Sequence, residues 1–214
     1  MGIHQALIGG YPDSELNNWQ IRIYNSGPLS NFTFNSLRFA PNEIVFFCYG
    51  SDFSTVSFSS TLATTTLFDQ GIALMWNFCA YGVIPPTPVN FNVSASANYG
   101  IVFGLRRPVS SQNYNVSVEA TNTTSAQPSH NNTPVAFTGG TDLALLLAFV
   151  DDLSTVMGQP TNSSFITRNG SSNRGTVASA YKQIDADGNY SWGSWNTSNT
   201  QFGTSAYVIK VQSA

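Results

Sequence analysis

The stretch Leu143-Ala-Leu-Leu-Leu-Ala-Phe-Val150 is the most apolar run of the chain, and the fold depends on whether it is a helix or a strand. Leucine and alanine favour a helix, for which Asp142 would be an acceptable N-cap and Gly158 a stop. Apolar side chains fill every position of the run, however, so it lacks the polar face of a surface helix. A short, continuous apolar run is also typical of a fully buried strand. We therefore predict a central, buried strand.

An earlier run, Ile44-Val-Phe-Phe-Cys-Tyr49, supports this prediction because it holds the same place in a repeated pattern. Each apolar run is followed by two further runs rich in small, apolar and aromatic residues, at similar spacing. They cover 72–81 and 99–106 after the first run, and 176–182 and 205–211 after the second. The matching order and spacing predict two divergent copies of one β unit.

Several shorter segments alternate apolar and polar residues, as half-buried strands do, among them 19–24, 89–95 and 114–119. Turn residues separate such segments at short intervals. The patterns predict an all-β protein of two tandem antiparallel β-sandwich units, jelly-roll-like in type, with a short N-terminal arm. We place the arm at residues 1–18, the first sandwich at 19–108 and the second at 109–214.

The low charge of the chain narrows the classes of partner. Only 9% of the 214 residues are charged, against roughly 25% in an ordinary soluble domain. The net charge is -3, and Arg106-Arg107 is the only basic doublet, whereas nucleic-acid binding needs clustered cations. No run reaches the roughly 18 apolar residues of a membrane span. We therefore expect no nucleic-acid partner and no membrane partner.

The N-terminal segment is predicted to be an arm rather than a leader. Its opening residues have no basic region and only a short apolar run, so they do not resemble a signal peptide. Ile3, Leu7 and Ile8 could form one amphipathic turn that ends at the following glycines. The chain contains nine Asn-x-Ser/Thr sequons, including those at Asn31, Asn92, Asn162 and Asn196. Without a secretion signal we do not expect them to be glycosylated.

Two clusters near the C-terminus are candidate binding sites. Asp185, Asp187 and Asn189 place oxygen atoms at alternate positions around a glycine turn, as at the start of a calcium loop. An EF-hand would also need a glutamate where Asn196 stands, so a hairpin turn is the favoured interpretation. We accordingly predict no metal and no other cofactor.

The second cluster consists of Tyr190, Trp192 and Trp195, whose rings could form a platform for a sugar. The two tryptophans are three residues apart, so in a regular strand they point to opposite faces. Burial of both rings against the sandwich or against a neighbouring subunit is the alternative, and the sequence leaves both open.

The remaining reactive side chains do not form a catalytic pattern. His4 and His130 are far apart and no serine or cysteine motif accompanies them, whereas a nucleophile needs a base within hydrogen-bond reach. Cys48 and Cys79 lie in similar contexts, and a disulfide is conceivable if their strands pair. Two buried free thiols are the favoured interpretation. We predict that the protein is not an enzyme and has no catalytic residues.

The second copy resembles the small β-sandwich modules of tailed-bacteriophage structural proteins. The resemblance rests on the Asp142 to Val150 run, on Val177-Ala-Ser-Ala-Tyr-Lys182 and on Ala206-Tyr-Val-Ile-Lys210. The opening Met1-Gly-Ile-His-Gln-Ala-Leu-Ile8 is also similar to the start of such proteins. The first copy departs from the pattern in its two cysteines and in the proline-rich loop at 83–88.

This resemblance implies a virion structural protein that decorates or cements a phage capsid, or belongs to the tail apparatus, through contacts between subunits. The implied partners are other capsid or tail subunits and further copies of the chain, for example in a trimer, with the arm residues Ile3, Leu7 and Ile8 as assembly contacts. The expected location is the virion, after synthesis in the host cytoplasm. The alternative is a carbohydrate- or receptor-binding module of a tail fibre or an extracellular adhesin, with a surface glycan as its partner.

Overall fold

The computed structural model describes residues 20–25, 32–37, 39–52, 55–72, 75–87, 89–106, 113–124, 129–130, 135–137, 142–151, 164–171, 175–184, 188–190, 195–196 and 203–214. Every regular element within these ranges is a β-strand. Every strand pairing among them is antiparallel. The predicted all-β, antiparallel class is therefore confirmed. In the described part of the chain, no helix has the length and hydropathy that a membrane crossing requires.

The strands fall into two groups separated by residues 107–113. The first group is β1 (Gln20–Asn25), β2 (Phe32–Leu37), β3 (Ile44–Asp52), β4 (Ser57–Ser60), β5 (Thr65–Ile72), β6 (Met75–Val83), β7 (Phe91–Ser96) and β8 (Tyr99–Arg106). The second group is β9 (Tyr114–Thr124), β10 (Ser129–His130), β11 (Val135–Phe137), β12 (Asp142–Asp151), β13 (Ser164–Ser171), β14 (Gly175–Ile184), β15 (Gly188–Tyr190), β16 (Trp195–Asn196) and β17 (Gly203–Ser213).

Each group forms one five-stranded sheet, and the two sheets have the same strand order. The first is ordered β1-β8-β3-β6-β5, and the second, in the same direction, β9-β17-β12-β14-β13. A three-stranded sheet, β2-β7-β4, completes the first group, while β10 pairs with β16 and β11 with β15 in the second. None of these sheets mixes strands of the two groups. The division at residue 108 and the arm at 1–18 remain predictions, since residues 107–112 and 1–19 lie outside the described ranges.

The Leu143 run is a strand, as predicted, and not a helix. It forms β12, the middle strand of its sheet, with β14 on one side and β17 on the other. The earlier run forms β3, which is the middle strand of the first sheet, between β6 and β8. The two runs therefore hold equivalent places in their sheets.

Both faces of β3 are buried, each in a different hydrophobic cluster. The first cluster contains Ile44, Phe46 and Cys48 of β3 together with side chains of β8 and β17. The second contains Val45, Phe47 and Tyr49 together with residues of the three-stranded sheet. All six side chains are at most 1% exposed. The first five-stranded sheet is thus the middle layer, covered by the three-stranded sheet on one face and by the second five-stranded sheet on the other.

The contact between the two five-stranded sheets is part of the hydrophobic core. From β17, Tyr207, Ile209 and Val211 enter the first cluster with no exposed surface. β9 adds the partly buried Tyr114, Val116 and Val118, and β14 packs against β3 and β8. Each such large apolar side chain contributes about 1.5–3 kcal/mol when it leaves water. The two groups of strands are therefore held together by the same apolar burial that holds each sheet.

Two tyrosine–glycine pairs fix how β3 and β8 lie together. Tyr49 is the register partner of Gly100, and Gly50 is the register partner of Tyr99. A methyl group on Gly100 would overlap the Tyr49 ring, and one on Gly50 would overlap the Tyr99 ring. Each glycine thus leaves room for a buried ring on the opposite strand, one ring on each face of the sheet.

Some predicted boundaries were wrong. The alternating segment predicted as a strand at 114–119 is longer, since β9 continues to Thr124, where its end pairs with the start of β17. The run at 72–81 was predicted as one strand, but Ile72 ends β5 and β6 begins at Met75. In both places tertiary pairing sets the strand ends, which composition does not encode.

Candidate functional site

The outer face of the three-stranded sheet carries a row of hydroxyl groups. β7 alternates, with Phe91, Val93 and Ala95 buried against the second cluster and the residues between them exposed. In register, Ser94 lies between Thr33 of β2 and Ser59 of β4. Strands in a sheet are about 4.8 Å apart, so the three hydroxyls form a row across the sheet at that spacing.

This row is part of a shallow depression of about 190 Å³, which we call the hydroxyl face. Its exposed side chains are those of Thr33, Ser59, Thr61, Asn92 and Ser94. Thr61 fixes one end of it: its hydroxyl accepts a hydrogen bond from the Asn92 N–H at 2.9 Å, and its own N–H donates to the Asn92 carbonyl at 3.0 Å. These side chains offer hydroxyl and amide groups and carry no formal charge, so the face is suited to hydrogen bonding with neutral polar groups.

A second feature joins the two groups of strands through a tyrosine. The Tyr207 ring stacks on Phe68 with centroids 3.8 Å apart and an interplanar angle of 10°. Its hydroxyl oxygen accepts hydrogen bonds from Gln70 Nε2 at 2.9 Å and from Asn77 Nδ2 at 3.1 Å. These hydrogen bonds hold β17 to β5 and β6 inside an otherwise apolar interface. Hydrogen bonds are directional, whereas the surrounding apolar contacts are not, so they fix the orientation of Tyr207.

The cysteines lie side by side in the middle layer. Cys48 and Cys79 are direct register partners, and their sulfur atoms are 3.5 Å apart. Both are free thiols with no exposed surface, in the cluster that both groups of strands share. Burial and the neighbouring Cys79 raise the pKa of the Cys48 thiol well above its ordinary value. In the folded state Cys48 is therefore protonated and a weak nucleophile.

The proline-rich loop after β6 is anchored at its base and exposed beyond it. The Ile84 N–H donates to the Glu43 carbonyl, and the Asn42 N–H donates to the Ile84 carbonyl, both at 2.9 Å. Asn42 has a φ of 62°, which asparagine tolerates better than most residues, and it follows Pro41 in the turn that precedes β3. On either side of this anchored base, Val83 at the end of β6 and Val89 after the prolines are 43% and 44% exposed. This loop is an apolar feature of the surface.

In the first five-stranded sheet, the indole of Trp76 on β6 forms a hydrogen bond with the carboxylate of Asp69 on β5. Trp76 Nε1 donates to Asp69 Oδ1 at 2.5 Å, and the ring lies against Gly71, its register partner. Trp76 also packs on the second cluster. The contacts of the Trp76 ring and nitrogen thus come from the neighbouring strand of its own sheet, and we assign this side chain a role in stability rather than in binding.

The predicted sites are only partly within the described residues. Of the calcium candidates, Asp185 and Asp187 lie outside them, and Asn189 is the middle residue of β15, paired with Ala136. No group of three or more histidine, cysteine, aspartate or glutamate residues capable of holding a metal is found in the described part of the chain.

The aromatic candidates are separated by their strand pairing. Tyr190 pairs with Val135, whereas Trp195 pairs with His130 in a different two-stranded ladder. Trp192 and the arm residues, Ile3, Leu7 and Ile8, lie outside the described residues. The sugar platform and the arm contacts therefore stay predictions.

Sequence reasoning missed both the hydroxyl face and the tyrosine contact. The alternation in the sequence of β7 placed Asn92 and Ser94 on one face. The sequence did not indicate that β2 and β4 lie beside β7 and extend this face. For Tyr207 the sequence offered no signal, because its partner Gln70 is 137 residues away.

Comparison of the chain with known protein families, with curated proteins and with solved structures finds no match.

Proposed function

We propose that the chain is a non-enzymatic structural subunit of a tailed-bacteriophage virion, built from two tandem jelly-roll units. In this proposal it decorates or cements the capsid, or forms part of the tail apparatus, and acts through contacts with neighbouring subunits. Its partners are further copies of itself, with a trimer as one candidate, and other capsid or tail proteins.

The observation that carries the proposal is the strand order. In a jelly roll, strands 1-8-3-6 lie in one sheet and 2-7-4-5 in the other, and this architecture is common in viral capsid proteins and lectins. The first group of strands matches with β1-β8-β3-β6 and β2-β7-β4, except that β5 lies beside β6. The second group repeats the first sheet as β9-β17-β12-β14. Two copies of this order in one chain favour an architectural role.

The surface chemistry gives independent support. Interfaces between proteins are depleted of charged residues at their centre, and only 9% of this chain is charged. Both the hydroxyl face and the exposed valines beside the proline-rich loop are uncharged. Covering them with another subunit removes no charge from water, so association avoids the desolvation cost of buried ions.

Sedimentation velocity of the purified chain over a range of concentrations tests the proposal. We expect a defined oligomer, and we expect an antibody against the chain to label particles from a lysate of the producing host under the electron microscope. A chain that stays monomeric at every concentration and is missing from purified particles would refute the virion role.

The arm is the finer part of the proposal, with Ile3, Leu7 and Ile8 binding a neighbouring subunit. A chain that starts at residue 19 should melt at nearly the same temperature as the parent but assemble more weakly. The matched control replaces the three apolar residues by serine in the full-length chain, which keeps the arm and removes only its apolar contacts. Equal assembly of all three proteins would exclude the arm as a contact.

A second candidate function is glycan binding, favoured by the hydroxyl face, because jelly rolls also serve as lectins. Hydroxyl and amide groups such as those of Asn92 and Ser94 can form hydrogen bonds with the hydroxyls of a neutral sugar. A glycan array with the parent, Asn92→Ala and Trp192→Ala distinguishes the hydroxyl face from the aromatic platform, and Thr87→Ala in the exposed loop is the control. Absence of binding by the parent would reject this function.

A further inference from the structure

The two cysteines hold a position that their separation in sequence does not reveal. They are 31 residues apart, yet they face each other directly across β3 and β6, and their sulfur atoms are 3.5 Å apart. Register partners in an antiparallel pair have Cα atoms about 4.5 or 5.5 Å apart, and a disulfide accepts about 4.4–6.8 Å. The backbone therefore already satisfies the distance that a disulfide requires, and only the side chains must turn to bring the sulfurs to about 2.05 Å.

The surroundings of the pair decide when such a bond can form. Both thiols have no exposed surface and lie in the cluster that includes Phe68 and Tyr207. Part of that cluster comes from β17, so it is complete only after the second five-stranded sheet packs on the first. A disulfide reagent can therefore reach the thiols before this packing, whereas the closed core hinders its access afterwards.

We propose that Cys48 and Cys79 form a cross-strand disulfide in chains that fold in the presence of a disulfide oxidant, and that the finished core then preserves the redox state in which the chain folded. The proposal concerns covalent modification of the middle layer and does not depend on the virion role. It differs from the sequence-based preference for two inert thiols, because the structure places them as direct partners.

The reaction balances with oxidised glutathione as the oxidant. One protein thiolate attacks the glutathione disulfide, forming a mixed disulfide and releasing one glutathione thiolate, which takes up a proton. The second protein thiolate attacks the mixed disulfide at the protein sulfur and releases the second glutathione. The two protein thiols are oxidised to one disulfide, and one glutathione disulfide is reduced to two thiols.

The bond would stabilise the fold by restricting the unfolded chain between the two positions. For a loop of this length the gain corresponds to a rise in melting temperature of about 5–15 °C in a protein of this size. The bond would also join the strand at the centre of the first sheet to its neighbour, in the layer against which both other sheets pack.

The test is to unfold the full chain in urea with a reductant, remove the reductant, and refold it with either reduced or oxidised glutathione. Refolding with oxidised glutathione should give a mass about 2 Da lower, no thiol that iodoacetamide labels after denaturation, and the higher melting temperature. A third sample, folded in reduced form and then given oxidised glutathione, should keep both thiols for much longer than the unfolded chain does.

Two controls separate the disulfide from other effects of the oxidant. Cys79→Ala has one thiol and should show no rise in melting temperature, and Cys48→Ala/Cys79→Ala should melt identically after both treatments. Three outcomes under oxidised glutathione would each overturn the cross-link: two free thiols, a stable mixed disulfide with glutathione, or a chain that refolds with reduced glutathione but not with the oxidant. Equally fast oxidation of the folded and unfolded chains would overturn the protection by the core.

Discussion

On one face of β3, Ile44, Phe46 and Cys48 pack in the cluster that reaches into the second group of strands, while on the other face Val45, Phe47 and Tyr49 pack against the three-stranded sheet. The first face meets β17 of the second group. The second face meets residues that all belong to the first group.

This difference between the two faces of β3 explains how the two groups of strands are joined. A strand that is apolar on every position has two faces to bury, and one thin sheet covers only one of them. The three-stranded sheet covers the second face, so the first face needs another layer, which the second five-stranded sheet supplies. We therefore expect changes on the first face to weaken the contact between the groups, and changes on the second face to weaken the first group alone.

The largest effects should come from removing a ring on either face. Phe46 stacks on Phe103 at 5.2 Å, and Phe47 lies 5.4 Å from Phe58. Phe46→Ala and Phe47→Ala should each lower the free energy of unfolding by about 3–5 kcal/mol, because each leaves a cavity in a closed core. Urea unfolding measures this loss.

Hydrogen exchange then separates the two faces. Phe46→Ala should reduce amide protection more in β17 than in β7, and Phe47→Ala should do the reverse. The comparison fails if both variants reduce protection in the two strands by the same amount.

Adding a methyl group to either glycine partner should have the next largest effect. Gly100→Ala presses on the Tyr49 ring and Gly50→Ala on the Tyr99 ring, one on each face. Each should cost about 1–3 kcal/mol, since a close-packed core has no room for the added atom. In a Tyr49→Ala background Gly100→Ala should cost much less, and an unchanged cost would show that the ring is not the obstacle.

Tyr207→Phe should weaken only the packing of the second group of strands on the first face of β3. It keeps the ring on Phe68 and removes the oxygen that accepts from Gln70 and Asn77. The expected loss is about 1–2 kcal/mol of unfolding free energy, which is typical of buried hydrogen bonds. Gln70→Ala, which removes the donor at an exposed position, should lose less, and a loss equal to that of Tyr207→Phe would contradict this ranking.

The smallest effect is a dependence of stability on pH through Cys48. Its folded-state pKa is raised by burial, so below about pH 8.5 the folded and unfolded states both hold the proton and this group adds no pH dependence. As the pH rises further, the unfolded chain releases the proton first, and stability falls by up to about 1.4 kcal/mol per pH unit until the folded-state pKa is reached.

Urea unfolding of the parent and of Cys48→Ala from about pH 7 to 11 measures this effect, and the parent should lose stability more steeply. Burial also raises the pKa of Tyr49, so Tyr49→Phe should flatten the fall above about pH 10 on the other face. Parallel curves for the parent and Cys48→Ala would mean that Cys48 does not contribute.

Much of the fold could be predicted because short-range patterns encode it. The alternation of residues 89–95 predicted β7, and the alternation of residues 19–24 predicted β1. The repeat of two apolar runs located both central strands, β3 and β12. Each of these signals depends on residues close together in the chain.

The sites could be predicted far less well, because they depend on which strands become neighbours. Ser94 alternates outward by its own sequence, but the row with Thr33 and Ser59 exists only because β2 and β4 pair on either side of β7. Cys48 and Cys79 were recognised as similar, and only the register of β3 and β6 makes them direct partners.

The sequence by itself determined that the protein is all-β, that two apolar runs are its central strands, and that its surface is polar with little charge. These properties follow from side-chain type and from a period of two residues, which act locally. The tertiary structure decided that the first face of β3 is covered by the second group of strands, so that Tyr207 binds Gln70 and Asn77 across a long separation in sequence. Hydrophobic burial is not directional, so an apolar run specifies that it must be covered but not by which layer.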